Sequence, residues 1–275
     1  MSYTARPWSL LEASYRQLQS FRPNVAVLPW GATEAHNYHL PHGTDTIEAA
    51  AVAEGAVELA AERGARCVLL PVIPFGNDNM QLSQIATITM RSATQHMVLR
   101  DVADSLARQG IDRLVVLNFH GGNDFRQMIR DIMLDVPVFI VQINAYQVAP
   151  DAYRILTVAH GDHADEFETS LMLHLRPQWV APLESAGPGQ ATPFKLRLLA
   201  ATPGVWAPRN WAALTRDTGV GDPRAATADK GRQIFRMLVE AIAPILVELS
   251  AASRGDFPYV ICDWQRRYGS PGAQP

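Results

Sequence analysis

Short apolar runs rich in β-branched residues alternate with longer stretches of helical period through the first two-thirds of the chain. Val25 to Pro29 reads as a strand, and Thr46 to Arg63 follows with an apolar face at Ile47, Ala50, Ala51 and Ala53 to Val57. Cys67 to Ile73 is the next strand predicted. Ala93 to Gln109 is the next helix, ending where Gly110 supplies the residue that helix C-termini favour. Arg113 to Asn118 predicts a third strand, Asp124 to Leu134 a helix and Val136 to Ile143 a fourth strand. Strands separated by helices of this length need crossover connections, so the pattern predicts an α/β fold, a mainly parallel sheet flanked by helices. After Ile143 the period loosens. Ala164 to Leu175 and Ala225 to Leu249 read as helices, while Pro177 to Pro208 is rich in Pro, Gly and Thr without a sustained period. No compositional boundary or fixed-period repeat divides the chain, so residues 1–275 are expected to form a single domain.

Composition narrows the functions this fold could carry. With 48% hydrophobic and 19% charged residues, 275 residues suffice to bury a large core. A formal net charge of -3 leaves no basic excess to hold a phosphate backbone, which argues against a nucleic-acid partner. The first residues lack an apolar stretch with a cleavage site, and nowhere do eighteen apolar residues run together, so neither export nor a membrane span is expected. Cys67 and Cys262 suggest neither a disulfide framework nor a paired-cysteine metal site, which fits a reducing cytoplasm. The histidines are unevenly spread, with His36, His39 and His42 within seven residues and His160, His163 and His174 within fifteen.

In open parallel sheets, ligands bind beyond the carboxyl ends of the strands. The polar run from Gly31 to Asp45 directly follows the first predicted strand, Asn77-Asp78-Asn79 the second and Asn118 to Asn123 the third, so all three land on one edge. The first run supplies Glu34, His36 and Asp45. Mixed nitrogen and oxygen donors of this kind suit Zn²⁺, Mn²⁺ or a related divalent ion, and the two oxygens of an Asp can bridge two ions. His120, followed by two glycines, adds a further donor. Taken singly, each of these residues is more simply a solvated or satisfied polar group; their convergence carries the metal reading. The segment His163-Ala-Asp165-Glu166-Phe-Glu168-Thr-Ser170 opens a helix, and its acids are either site residues or first-turn charges favoured by the helix dipole.

Four ordered segments resemble the creatininase (creatinine amidohydrolase) family. They are Glu34-Ala-His36 with Leu40 to Asp45, Asn118-Phe-His120-Gly-Gly-Asn123, His163 to Ser170, and Gly219 to Gly231, together spanning about residues 25 to 245. The resemblance implies a single creatininase-like α/β domain that hydrolyses amide C–N bonds of a small-molecule substrate. It also implies two divalent metal ions per chain (Zn²⁺ and/or Mn²⁺, with Fe²⁺ admissible) and homo-oligomers, commonly hexamers. Carried over by position, Glu34 and His120 are expected on one ion, His36 on the other and Asp45 between them. In creatininase the remaining carboxylate lies two residues after the His of the third-strand motif, where this chain has Gly122. Relatives with the His-Gly-Gly-Asn form take it from the Glu-Thr-Ser motif, so Glu168 is the expected fifth ligand and Glu166 its substitute.

Two ions in one site activate a shared water and polarise a carbonyl. Glu168 and His163 are then expected to move the proton to the leaving nitrogen, His163 having the alternative of a structural role. Asp78 is expected either to contact substrate or to cap a turn. His39 and His42 are expected either to orient the carboxylates or to face solvent. Trp30 is expected to pack beneath the loop, and Thr227 to cap the last helix. Gly122, together with Asp165 where a Gly is usual and Asn77-Asp78-Asn79 in place of a small-residue stretch, argues against creatinine itself and leaves a small cyclic amide or formamide-type C–N bond. The competing expectations are a peptidase-like relative and a non-catalytic metal-binding homologue.

Overall fold

Within each central strand the side chains divide between two cores, as the two-residue period of a strand requires. The structure is a computed structural model that describes residues 6–158 and 161–253; Cys262 and His160 lie outside them. Strands β1 (Val25–Trp30), β2 (Cys67–Leu69), β3 (Arg113–Asn118) and β4 (Phe139–Asn144) form one sheet in the order β2-β1-β3-β4, every pairing parallel. Helices α1 (Tyr15–Phe21), α2 (Thr44–Glu62), α3 (Ser92–Arg108), α4 (Arg126–Asp135) and α5 (Ala145–Val148) accompany the strands. Helices α6 (Glu166–Leu175), α7 (Arg197–Ala201), α8 (Trp211–Leu214) and α9 (Ala228–Ala251) follow them.

Val25, Val27, Val115 and Leu117 face a core shared with α2, α6 and α9, whereas Ala26, Leu28, Trp30, Leu114 and Val116 face α3 and α4. The parallel α/β sheet covered on both faces is the fold the alternation predicted. Because α2 crosses on one face and α3 on the other, the chain changes direction between β1 and β3, and the loops leaving those two strands part to open a crevice. Helix α2 lies close against the sheet through small residues, with Ala49, Val52, Ala53, Ala56, Val57 and Ala60 all without exposure.

Several element ends differ from expectation, each for a local reason. β2 stops at Leu69 rather than Ile73 because Pro71 and Pro29 lack the N–H groups that would continue the ladder; Ile73 rejoins by donating to the Pro29 carbonyl at 3.0 Å. Asp124 accepts from the backbone of Arg126 at 3.1 Å, a turn that delays the helix expected at 124 until α4 begins at Arg126. Pro137 delays the fourth strand to Phe139. Asp165 accepts from the N–H groups of Phe167 and Glu168, so α6 begins at Glu166 rather than Ala164. Thr227 caps α9 by accepting from Lys230 at 3.2 Å, as expected, and the helix therefore starts at Ala228 rather than Ala225. Among the described residues, no helix is long and apolar enough to cross a membrane.

Candidate metal centre

The crevice between β1 and β3 collects the ionisable residues. Glu34 and His36 leave the end of β1, Asp45 sits in the first turn of α2, and His120 leaves β3. Gly31 makes this meeting feasible, since a Cβ there would lie 2.6 Å from the Thr46 Cα, so only glycine lets the first turn of α2 rest on the strand end. A polar network holds the His120 turn: Asn118 donates to the His120 carbonyl and accepts from its N–H, and Asn123 donates to Asn118 at 3.0 Å.

Asp45 divides its two oxygens. Oδ1 lies 2.9 Å from His36 Nε2 and Oδ2 lies 3.0 Å from His120 Nδ1. Glu34 Oε1 approaches the same His120 Nδ1 at 2.8 Å, and Glu168 Oε2 lies 4.0 Å from His36 Nε2. Two donor sets result, Glu34–Asp45–His120 and His36–Asp45–Glu168, each with donor atoms close enough to hold one ion. A third set joins Glu34, His36 and His163.

Glu34, His36, Asp45, His120 and His163 are buried and Glu168 is half-buried, and no lysine or arginine among the described residues has an ion pair with Glu34, Asp45 or Glu168. Burial drives Glu34 up to about 7 and Glu168 up to about 8, in each case against the pull of a neighbouring imidazole. Burial also opposes the charge on Asp45, but the two imidazoles win and keep it well below the usual carboxylate range. Burial would discharge His36, yet Asp45 raises it to about 10, and Glu34 and Asp45 likewise raise His120. Protons on the imidazoles thus do the neutralising that a buried acidic cluster requires. Divalent cations would do it better, because the donors are hard oxygens and imidazole nitrogens that converge on two points. The residues present therefore fit a pair of divalent ions.

The far edge of each imidazole is fixed by a backbone carbonyl. His36 Nδ1 lies 3.0 Å from the Glu34 carbonyl, and His120 Nε2 lies 3.3 Å from the Asn77 carbonyl and 3.1 Å from Asp78 Oδ1. Asp78 is thus placed behind His120 while also bordering the small cavity of the site. Gly122 has a steric reason: a Cβ at this position would lie 2.4 Å from both the Asn77 carbonyl and His120 Nε2. The segment after β2 occupies the space that a side chain at 122 would need.

His163 precedes α6, with its Nε2 2.8 Å from the Ala35 carbonyl and its Nδ1 3.7 Å from Glu34 Oε1. Burial, helped by His36, holds its pKa well down, so the ring is neutral. With Nε2–H donated to Ala35, Nδ1 keeps its lone pair toward Glu34. The next residue, Ala164, is left-handed at φ 49°, and its N–H donates to Glu168, a strained turn that points both His163 and Glu168 inward. Glu166 points the other way and pairs with Lys230 while accepting from the N–H groups of Thr157 and Val158.

His39 binds Thr169 at 2.8 Å and His42 binds the Ile85 carbonyl at 2.9 Å; neither orients a site carboxylate. Trp30 packs on Phe125 and donates to the Phe75 carbonyl beneath the loop. Three buried residues escaped the sequence reading. Gln81 donates to Glu34 Oε2, and Trp211 meets His163 edge-on at 5.2 Å. The third, Glu48, lies one turn beyond Asp45 with Oε1 lacking a hydrogen-bond partner, its carboxyl driven up by burial and by Glu168 and Asp45. Its i+3 spacing from Asp45 was a usable signal.

Residues 12–246 match the creatininase family, described as creatinine amidohydrolase. The chain belongs to the creatininase family. It is 31% identical over 243 residues to a mycofactocin precursor peptide peptidase of Mycolicibacterium smegmatis, covering 88% of this chain and 91% of that protein. A solved candidate creatinine amidohydrolase from Bacteroides fragilis is 37% identical with a TM-score of 0.82, covering 91% of this chain and 99% of that one. A mutant creatininase solved in a Zn–Zn form superposes with a TM-score of 0.73 at 22% identity, covering 90% of this chain and 100% of that one, a likeness of fold. As a creatininase-family hydrolase, the protein carries its candidate metal ligands where the sheet changes direction.

Proposed function

We propose that the protein is a dinuclear metal-dependent amidohydrolase, with Glu34, Asp45 and His120 holding one divalent ion and His36, Asp45 and Glu168 the other. The observation that carries this reading is the division of the Asp45 oxygens between His36 and His120. Zn²⁺ or Mn²⁺ suits the donors. When bound, the ions supply an acidified water and positive charge for the carbonyl oxygen. The chain's own residues do the rest. Hydrolysis consumes one water, breaks the C–N bond and leaves a carboxylic acid and an amine, so a proton must travel from water to nitrogen. Glu168 and the lone pair of His163 Nδ1 border the cavity where this occurs, and the Ala35 carbonyl holds the imidazole in the tautomer that accepts. Asp78 and the Asn77 carbonyl keep His120 oriented toward Glu34 and Asp45.

A cavity of about 40 Å³ beside Glu34, Asp45, His120, His163 and Glu168 is large enough for a water, the open position that catalysis needs and a closed structural site lacks. The choice between a small cyclic amide or formamide and a peptide turns on space. A cleft of about 830 Å³ adjoins the site across Gly121 and Gly122, large for a small cyclic amide and suited to a peptide, and the Mycolicibacterium relative is named as a peptidase. The peptide-like reading is therefore favoured. The expected setting is a homo-oligomer in a reducing cytoplasm; Cys67 is buried as a thiol, which burial pushes up to about 12.

Elemental analysis of the purified protein should find two divalent ions per chain. The loaded enzyme, screened against cyclic amides, formamides and acylated peptides, should cleave peptides and lose that activity to a chelator. Well under one ion per chain would refute the reading.

A further inference from the structure

Arg209 lines three cavities at or beside the candidate metal centre. They are the 40 Å³ space between the ligands, the 830 Å³ cleft, and a pocket of about 360 Å³ bordered by Glu48, Tyr146 and Glu168. Among the described residues lining the first and last, Arg209 is the sole lysine or arginine.

Its guanidinium is held from two sides. Nη1 donates to Asp162 at 2.6 Å, and Cζ lies 4.5 Å from the centroid of the Trp211 ring, which itself packs edge-on against His163. The Arg209 backbone N–H contacts Met80 Sδ at 3.1 Å, so the residue's root is anchored as well. Nε and Nη2 have no hydrogen-bond acceptor among the described residues, and the side chain keeps 32% of its exposure. A planar cation held over an aromatic ring and pinned by an acid, with donors left over, is preorganised for a carboxylate. Arg126, the other cation of the cleft, is different, because Asp124 occupies its Nε at 2.9 Å and its Nη2 at 2.6 Å.

We propose that Arg209 reads the substrate by binding a carboxylate carried next to the scissile amide, while the rest of an extended, peptide-like substrate lies along the cleft. Gln142, Asn144 and Gln147 offer polar partners along the cleft, and Phe194, Val205 and Trp206 apolar ones. Cleavage of the neighbouring amide rests on the hydrolytic reading; the carboxylate site rests on the geometry of Arg209 alone.

The test uses the full chain, loaded with Zn²⁺ or Mn²⁺, and matched N-acetyl-tripeptides ending in a free carboxylate or a carboxamide. Binding is measured by calorimetry and cleavage by product release. The unmodified protein should favour the free acids by about 10- to 100-fold. In Arg209→Met the ratio should fall to near one, and in Arg209→Lys, which keeps the charge without the fork, it should be intermediate. Equal affinity for the two sets in the unmodified protein, or an Arg209→Met variant that weakens both equally, would overturn the assignment and leave Arg209 as a latch for Asp162 and Trp211. Selective binding without cleavage would sustain it while refuting the hydrolytic reading, and unselective cleavage would do the reverse.

Discussion

The two halves of the site are built in different ways. Glu34, His36, Asp45 and His120 hang from the ends of β1, β3 and α2, where a parallel ladder and a helix buried against the sheet fix each backbone. His163, Glu168, Arg209 and Trp211 come from the chain beyond β4, where positions depend on turns and side-chain contacts: the Asp165 cap, the left-handed Ala164, the Asp162–Arg209 pair. The scaffold half concentrates charge in a rigid crevice and suits ion binding. The later half covers that crevice and suits substrate and proton handling. Division of this kind lets a family keep its metal chemistry while changing what it cleaves.

The comparison breaks most sharply at Asp45. Asp45→Asn should abolish uptake of both ions and lower hydrolysis by on the order of 10³-fold. Trp211→Ala should leave the ion count unchanged while lowering turnover. Elemental analysis paired with a peptide-cleavage assay separates the two, and equal ion loss would merge the halves. A smaller effect divides the later half internally. Glu168→Gln should weaken binding of one ion by about 10- to 100-fold. Glu166→Gln should leave both ions but destabilise the fold by about 3 kcal/mol, because the buried charge that Lys230 faces is removed. Metal titration and chemical denaturation read these outcomes, and unaltered ion affinity in Glu168→Gln would transfer the ligand role to another residue.

At neutral pH nothing changes, and the last effect emerges only on acidification. His39 is buried beside Thr169, and burial together with His36 lowers its pKa from 6.5 to about 4. The unfolded chain therefore binds the extra proton first, and stability falls as pH drops from about 6.5 to about 4, by up to about 1.4 kcal/mol per pH unit. Denaturation curves for His39→Asn should be flatter over that window, and an unchanged profile would remove His39 from the acid response.

The strand–helix alternation, the edge on which polar loops gather and the candidate ligands Glu34, His36, Asp45 and His120 were legible because each is set by local pattern or by motif spacing. Glu168 was legible by resemblance, and its separation from Glu166 becomes physical only when the Asp165 cap orients the helix. Arg209 and Trp211 were not legible. They lie at the end of the Pro-rich stretch or just past it, without period, and reach the site through contacts more than forty residues away in sequence, such as Arg209 with Met80 and Asp162. Asp78 was expected either to contact substrate or to cap a turn; it borders the site cavity and also lies 3.1 Å from the imidazole of His120, a neighbour that no local pattern announces.

Asp45 rides on a helix whose inward face is almost wholly alanine and valine. Such a face has little slack, since adding even a methyl group forces a rigid shift of the helix rather than a local rearrangement. The spacing between the two donor sets is therefore tuned from the hydrophobic core. Under selection for a different metal, adaptive substitutions should accumulate along Ala49 to Ala60 with every ligand left untouched, as though the helix were the adjusting screw of the site.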